Sequence, residues 1–159
     1  MSKAVLLAVD ARQPAPESMA VARELCHGVG DKIIVLHVHE FAIGRFGRLQ
    51  VDCPEGQAER VVLEIVAALR EADMTAEAEI RETHVGHIAR AIVDVADEYD
   101  ARFLVLGSSG RTDLPHIPLG SVSHRLLHMS RRPVMLVPRH AAGHDAGPAE
   151  QSAPQTVSS

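Results

Sequence analysis

The stretch Gly107-Ser108-Ser109-Gly110, nine residues from Arg111 to Leu119, and then Gly120-Ser121-Val122-Ser123 concentrates the residue types that can hold a chain of phosphates. Phosphate oxygens are bound by main-chain N–H groups converging on one point, and a side chain at such a turn blocks the approach, so glycine is favoured there. Ser121 is expected to cap a following helix, leaving its first amides and the positive end of its dipole facing an anion, with Ser121 and Ser123 adding hydroxyl donors. Each such term is worth about 0.3 to 1 kcal/mol, so several must act together. Read without a ligand, the same glycines are turn residues and Ser121 is only a cap. Asp10, at the end of the apolar run Ala4 to Val9, is the second polar group of interest. Contact with sugar hydroxyls is preferred for it over catalysis, because no second carboxylate is seen to converge on it.

Other chemistries fail on spacing. A Walker loop needs lysine directly after its last glycine, and the only lysines are Lys3 and Lys32. No glycine follows Asp10 until Gly28, which excludes a dinucleotide fingerprint after the first strand, and Gly110 comes one residue too early to make a nucleophile elbow around Ser109. Ten histidines include His124 and His128 at i, i+4, without a third ligand. His37 and His39 share a strand face and are expected to emerge into solvent, so no metal site and no catalytic residue is assigned.

The elements that must position these residues follow from hydrophobic periodicity. Lys3 to Val9, Ile33 to Val38, Phe103 to Leu106 and Val134 to Val137 are short apolar runs, as in strands buried on both faces. Ala76 to Glu82 alternates small or apolar with charged residues, which suits a sheet edge. Helical spacing is seen in Val21, Ala22, Leu25 and Cys26; in Val62, Ile65, Val66 and Leu69 within Glu55 to Ala72; in Ile88, Ile92, Val95 and Ala96; and in Val122, Leu126, Leu127 and Met129. Phe41 to Pro54 reads as a loop. Strands alternating with helices call for an α/β domain, a mostly parallel sheet with right-handed crossovers and helices on both faces. Ligands of such sheets sit at the carboxyl ends of the strands, where Asp10, Val38 and Gly107 fall.

Composition bounds the partners. The chain has 159 residues, the size of one domain, and residues 140–159 hold little to bury, so residues 1–139 are expected to fold and the remainder to form a disordered tail. Net charge is −5 and the 16 basic residues are scattered, which leaves no footprint for nucleic acid or an anionic membrane. Cys26 and Cys53 have no paired spacing and no segment has membrane-spanning length, so two free thiols in a cytoplasmic protein are expected.

On these residues the chain resembles the universal stress protein family. The glycines and serines match the pattern of its ATP-binding members, and the likeness extends to the strand ending in Asp10, to Leu36-His37-Val38 and to Tyr99-Asp100-Ala101, over roughly residues 3 to 138. The resemblance implies a single five-stranded sheet in the order 3-2-1-4-5. It also implies a site for ATP with magnesium, in which Asp10 meets the ribose, the Val38 backbone reads the adenine edge and Gly107 lies beside the ribose. Gly110, Gly120 and the Ser121, Val122 and Ser123 segment would hold the phosphates. A further implication is a homodimer through the last strand, Val134, Met135, Leu136 and Val137. The chain departs from the family in having Ala11-Arg12-Gln13-Pro14 after Asp10, where Gly-Ser is usual, and in Pro115 and Pro118, each of which removes a backbone donor.

Three functions compete. The first is an ATP-binding stress-response or regulatory protein in which occupancy alters conformation or affinity for a protein partner, with hydrolysis slow at most. The second is a nucleotide-independent dimeric interaction module of the same fold. The third, a nucleotide-processing enzyme, has no residues to name for its chemistry.

Overall fold

The computed structural model describes residues 3–12, 16–107 and 120–138. In chain order these form β1 (Ala4–Ala8), α1 (Pro16–Leu25), β2 (Lys32–Gly44), β3 (Gly47–Gln50), α2 (Gln57–Glu71), β4 (Ala76–His84), α3 (Ile88–Glu98), β5 (Ala101–Gly107), α4 (Ser121–Met129) and β6 (Val134–Val137). Parallel pairing joins β4 to β2, β2 to β1, β1 to β5 and β5 to β6. The parallel order is thus the 3-2-1-4-5 winding expected for the five sequence-read strands. The sixth strand is β3, and it is the first correction: the stretch read as a loop from Phe41 to Pro54 contains an antiparallel hairpin, Phe41 facing Gln50 and Gly44 facing Gly47. Alternation of Phe41 and Ile43 supports the longer β2, and Gly47, at φ 114°, closes the two-residue turn as only glycine does without strain.

Side-chain parity builds two apolar layers. Leu6, Ile34, Leu36, Leu104 and Leu106 face α3 and α4, meeting Ile92, Val95 and Leu126. Their neighbours Val5, Leu7, Ile33, Val35 and Val105 face α1 and α2, meeting Ala22, Val62, Val66 and Leu69. Complete burial of each Leu or Ile contributes about 1.5 to 3 kcal/mol, and this aliphatic core is why the fold needs no crosslink. Both cysteines are free thiols. Among the described residues no helix is long and apolar enough to cross a membrane.

Phe41 pairs on one side with Gln50 and on the other with His84, while Leu36 pairs with Ala8 and Glu79. β3 therefore lies on the β1 side of β2, beyond the carboxyl end of β1. The hairpin overhangs the rim where a ligand of this fold would sit.

Candidate functional site

Between the carboxyl ends of β1 and β5, the middle of β2 and the start of α4 lies a cavity of about 260 Å³. Asp10, Val38, Gly107, Val122 and Ser123, expected from sequence to act together, all line it. β1 ends where Val9 N–H donates to the Leu36 carbonyl at 2.9 Å. Asp10 follows, exposed, its Oδ1 accepting the Arg12 amide at 2.9 Å. The Arg12 guanidinium in turn donates to the Val51 carbonyl at 2.9 Å, so the departure from the family pattern after Asp10 ties this turn to the hairpin. Val38 is buried on the α3 side of β2.

At α4 the structure corrects one detail. Gly120 is the cap residue, without a side-chain capping bond, and Ser121 is the first helical residue. The first intrahelical bond runs from His124 N–H to the Gly120 carbonyl at 2.9 Å, so the amides of Ser121, Val122 and Ser123 precede the ladder and have no acceptor within the helix. Ser123 is buried and lines the cavity, whereas Ser121 lines a neighbouring hollow of about 90 Å³ with Gly86 and Arg125. Gly110 lies outside the described residues, as do Pro115, Pro118 and the tail expected for residues 140–159.

The second correction concerns His37 and His39, which do not emerge into solvent. Each is 5% exposed. They continue the parity of Ile33 and Val35 toward the α2 side, where the segment after β3 folds over them. His37 Nδ1 donates to the Val9 carbonyl at 2.9 Å, and His37 Nε2 meets Asp52 Oδ2 at 2.9 Å. His39 Nδ1 meets the same Asp52 oxygen at 2.9 Å, and its Nε2 meets Glu59 Oε1 at 3.1 Å. The Cys53 thiol donates to that oxygen too, at 3.1 Å, while Asp52 Oδ1 accepts the Glu40 amide at 3.2 Å. His37, Asp52 and Cys53 also line the rim cavity.

Electrostatics follow from this crowding. Burial works to raise the Asp52 pKa, but bonds from His37, Cys53 and His39 outweigh it and hold the carboxyl well below its usual range. Burial and the Asp52 carboxylate together push the Cys53 thiol up to about 11, so it is not a ready nucleophile. Burial would lower His39, yet hydrogen bonds and charge from Asp52 and Glu59 leave it above its ordinary value. Asp52 and Glu59 were missed as site residues because their histidine partners lie 13 to 20 positions away in the chain, and Cys53 because its partner is Asp52 itself. The one local signal was a pair of histidines replacing apolar residues on a buried strand face.

Comparison with known proteins places these features in context. Residues 1–138 match the family model described as the universal stress protein family. A universal stress protein from Archaeoglobus fulgidus superposes with a TM-score of 0.68 at 20% identity, over 86% of this chain and 99% of that one. The structure of the Archaeoglobus fulgidus protein in complex with dAMP gives 0.62 at 20% identity, over 85% and 97%. A family protein from Arabidopsis thaliana with AMP bound gives 0.59 at 19% identity, over 87% and 93%. A search of curated proteins gives no match.

Proposed function

The chain belongs to the universal stress protein family, and from that membership we propose that it binds an adenine nucleotide, ATP with magnesium, in the rim cavity. Occupancy would alter its conformation or its affinity for a protein partner in a cytoplasmic stress response. The observation that carries the reading is the meeting of Asp10, Val38, Gly107, Val122 and Ser123, from the ends of β1 and β5, the middle of β2 and the start of α4, on one hollow of about 260 Å³. The similar proteins named above with dAMP and AMP support the choice of adenine.

In this reading Asp10 accepts from the ribose hydroxyls, the Val38 backbone meets the adenine edge and Gly107 lets the sugar approach the sheet. The amides ahead of α4, from Ser121 to Ser123, together with Gly110, Gly120 and the serine hydroxyls, bind phosphate oxygens with the aid of the helix dipole. The folded unit is taken as residues 1–139.

Thermal unfolding with and without Mg-ATP tests the proposal. Nucleotide at 100 times its Kd adds about 2.7 kcal/mol, or roughly 5 to 10 °C for a domain of this size. Asp10→Ala and Gly120→Val should fold and lose that increment. No increment at millimolar nucleotide, with no nucleotide co-purifying, would leave the second reading, a nucleotide-independent dimeric module. The observation favouring that reading is β6 itself: among the described residues it pairs with β5 alone, and it presents Met135 at 43% exposure. Light scattering at two concentrations would then detect a dimer through Val134, Met135, Leu136 and Val137.

A further inference from the structure

Three ligand-type side-chain atoms converge on a single carboxylate oxygen in this protein. His37 Nε2, His39 Nδ1 and Cys53 Sγ lie 2.9, 2.9 and 3.1 Å from Asp52 Oδ2, and the four residues each bring a ligand-type atom within 4.8 Å of the others. We propose that His37, His39, Asp52 and Cys53 form a binding site for a divalent transition-metal ion of the zinc class.

The donor set is two imidazole nitrogens, one carboxylate oxygen and one sulfur. Four ligands with a thiolate among them suit tetrahedral Zn²⁺ and not the all-oxygen preferences of Mg²⁺ or Ca²⁺. Bond lengths of about 2.0 to 2.3 Å set tetrahedral ligand atoms roughly 3.3 to 3.8 Å apart. The widest separation, 4.8 Å, therefore has to close by about 1 Å, and the 2.9 to 3.1 Å contacts to Asp52 Oδ2 have to open by a few tenths of an ångström. Binding displaces the Cys53 proton to solvent, and with it any proton on the inward-facing imidazole nitrogens.

The surroundings are those of a ligand set already oriented. The Val9 carbonyl can only accept, so it fixes the proton of His37 on Nδ1 and turns Nε2 toward the cluster. Glu59 does the same at His39 Nε2, leaving Nδ1 to face inward. A carbonyl and a carboxylate behind two histidines are the outer contacts that ligating histidines need. The Glu40 amide holds the other Asp52 oxygen, and Arg12 pins the backbone at Val51, next to Asp52. All of these are within the described residues, and the site stands whether or not a nucleotide occupies the adjoining cavity.

Metal titration of the untagged full-length chain, stripped with chelator and kept free of nucleotide, tests the inference. One Zn²⁺ per chain is expected, and Co²⁺ in its place should give intense tetrahedral visible absorption with a thiolate-to-metal band in the near ultraviolet. Cys53→Ser, which keeps a hydroxyl donor for Asp52, should remove that band and weaken Zn²⁺ at least about 100-fold. His39→Ala should weaken it comparably, with circular dichroism showing that both variants remain folded. His124→Ala with His128→Ala, whose rings pack 4.7 Å apart on α4, should change neither readout. Failure of the wild type to hold Zn²⁺, a cobalt spectrum lacking the thiolate band, or loss of binding in the α4 double variant would each overturn the proposal. The nucleotide increment is measured separately, in metal-stripped protein supplied only with magnesium, so failure of one reading does not imply failure of the other.

Discussion

Two carboxylates, Asp31 buried and Asp52 half-buried, sit at opposite ends of the sheet, and their partners differ in kind. Asp31, at the amino end, accepts the main-chain amides of Lys3 at 3.1 Å and Gly28 at 2.9 Å, with the Arg102 guanidinium at 3.4 Å. Asp52, at the carboxyl end, is surrounded mainly by histidine and cysteine side chains. The partners of Asp31 are donors that cannot ligate a metal, so that carboxylate closes the start of β1 and β2 as a structural joint. The partners of Asp52 are of the types that can ligate a metal, and this is the basis of the site proposed above.

Replacing Asp31 should produce the largest effect. Asp31→Ala strips two main-chain amides of their acceptor, and the melting temperature should fall on the order of 10 °C by calorimetry, with or without zinc. A variant melting like the wild type would mean that the amino-end carboxylate is not a joint. The next effect separates the two ends directly. Zn²⁺ at 100 times its Kd should add about 2.7 kcal/mol to the wild type and to Asp31→Ala, and little to Asp52→Ala. Equal increments in both variants would erase the contrast.

Acid sharpens it further. Main-chain bonds from Lys3 and Gly28 outweigh burial and lower the Asp31 pKa, with Arg102 assisting. A carboxyl depressed in the folded state stabilises above its unfolded value of about 3.9, and the contribution is lost as pH falls through the lower folded value. The stability gap between wild type and Asp31→Asn, followed by urea unfolding, should be full at neutral pH and narrow only in that acid window. The smallest effect belongs to Arg102→Gln, which removes a long ion pair and a 2.8 Å bond to the Leu25 carbonyl. A loss of roughly 2 to 4 °C is expected, and a larger one would make the cation, and not the amides, the main partner of Asp31.

Legibility from sequence divided along similar lines. The β4 edge was visible because its alternation of alanine and charge cannot be buried on both sides. The apolar runs of β1, β2 and β5 stood out because both sheet faces are covered there. Among the site residues, Asp10, Val38, Gly107, Val122 and Ser123 could be grouped because each ends or begins an element whose period was plain. The hairpin was not legible, since Ile43, Phe46 and Leu49 are exposed and carry no burial signal. His37 and His39 were misread as solvent-facing because what covers them, Asp52 and Glu59, arrives only when that hairpin folds back and α2 docks.

The residues alone thus determined the alternation of strand and helix, the two apolar faces and the rim to which Asp10 and the α4 amides come. These depend on patterns of period 2 and 3.6 that are local to each segment. Only the tertiary structure decided that two histidines, an aspartate and a cysteine share one point. The path of a hairpin over a sheet edge is set by packing between segments distant in sequence, and no periodicity within the 37–53 stretch encodes which side chains will meet.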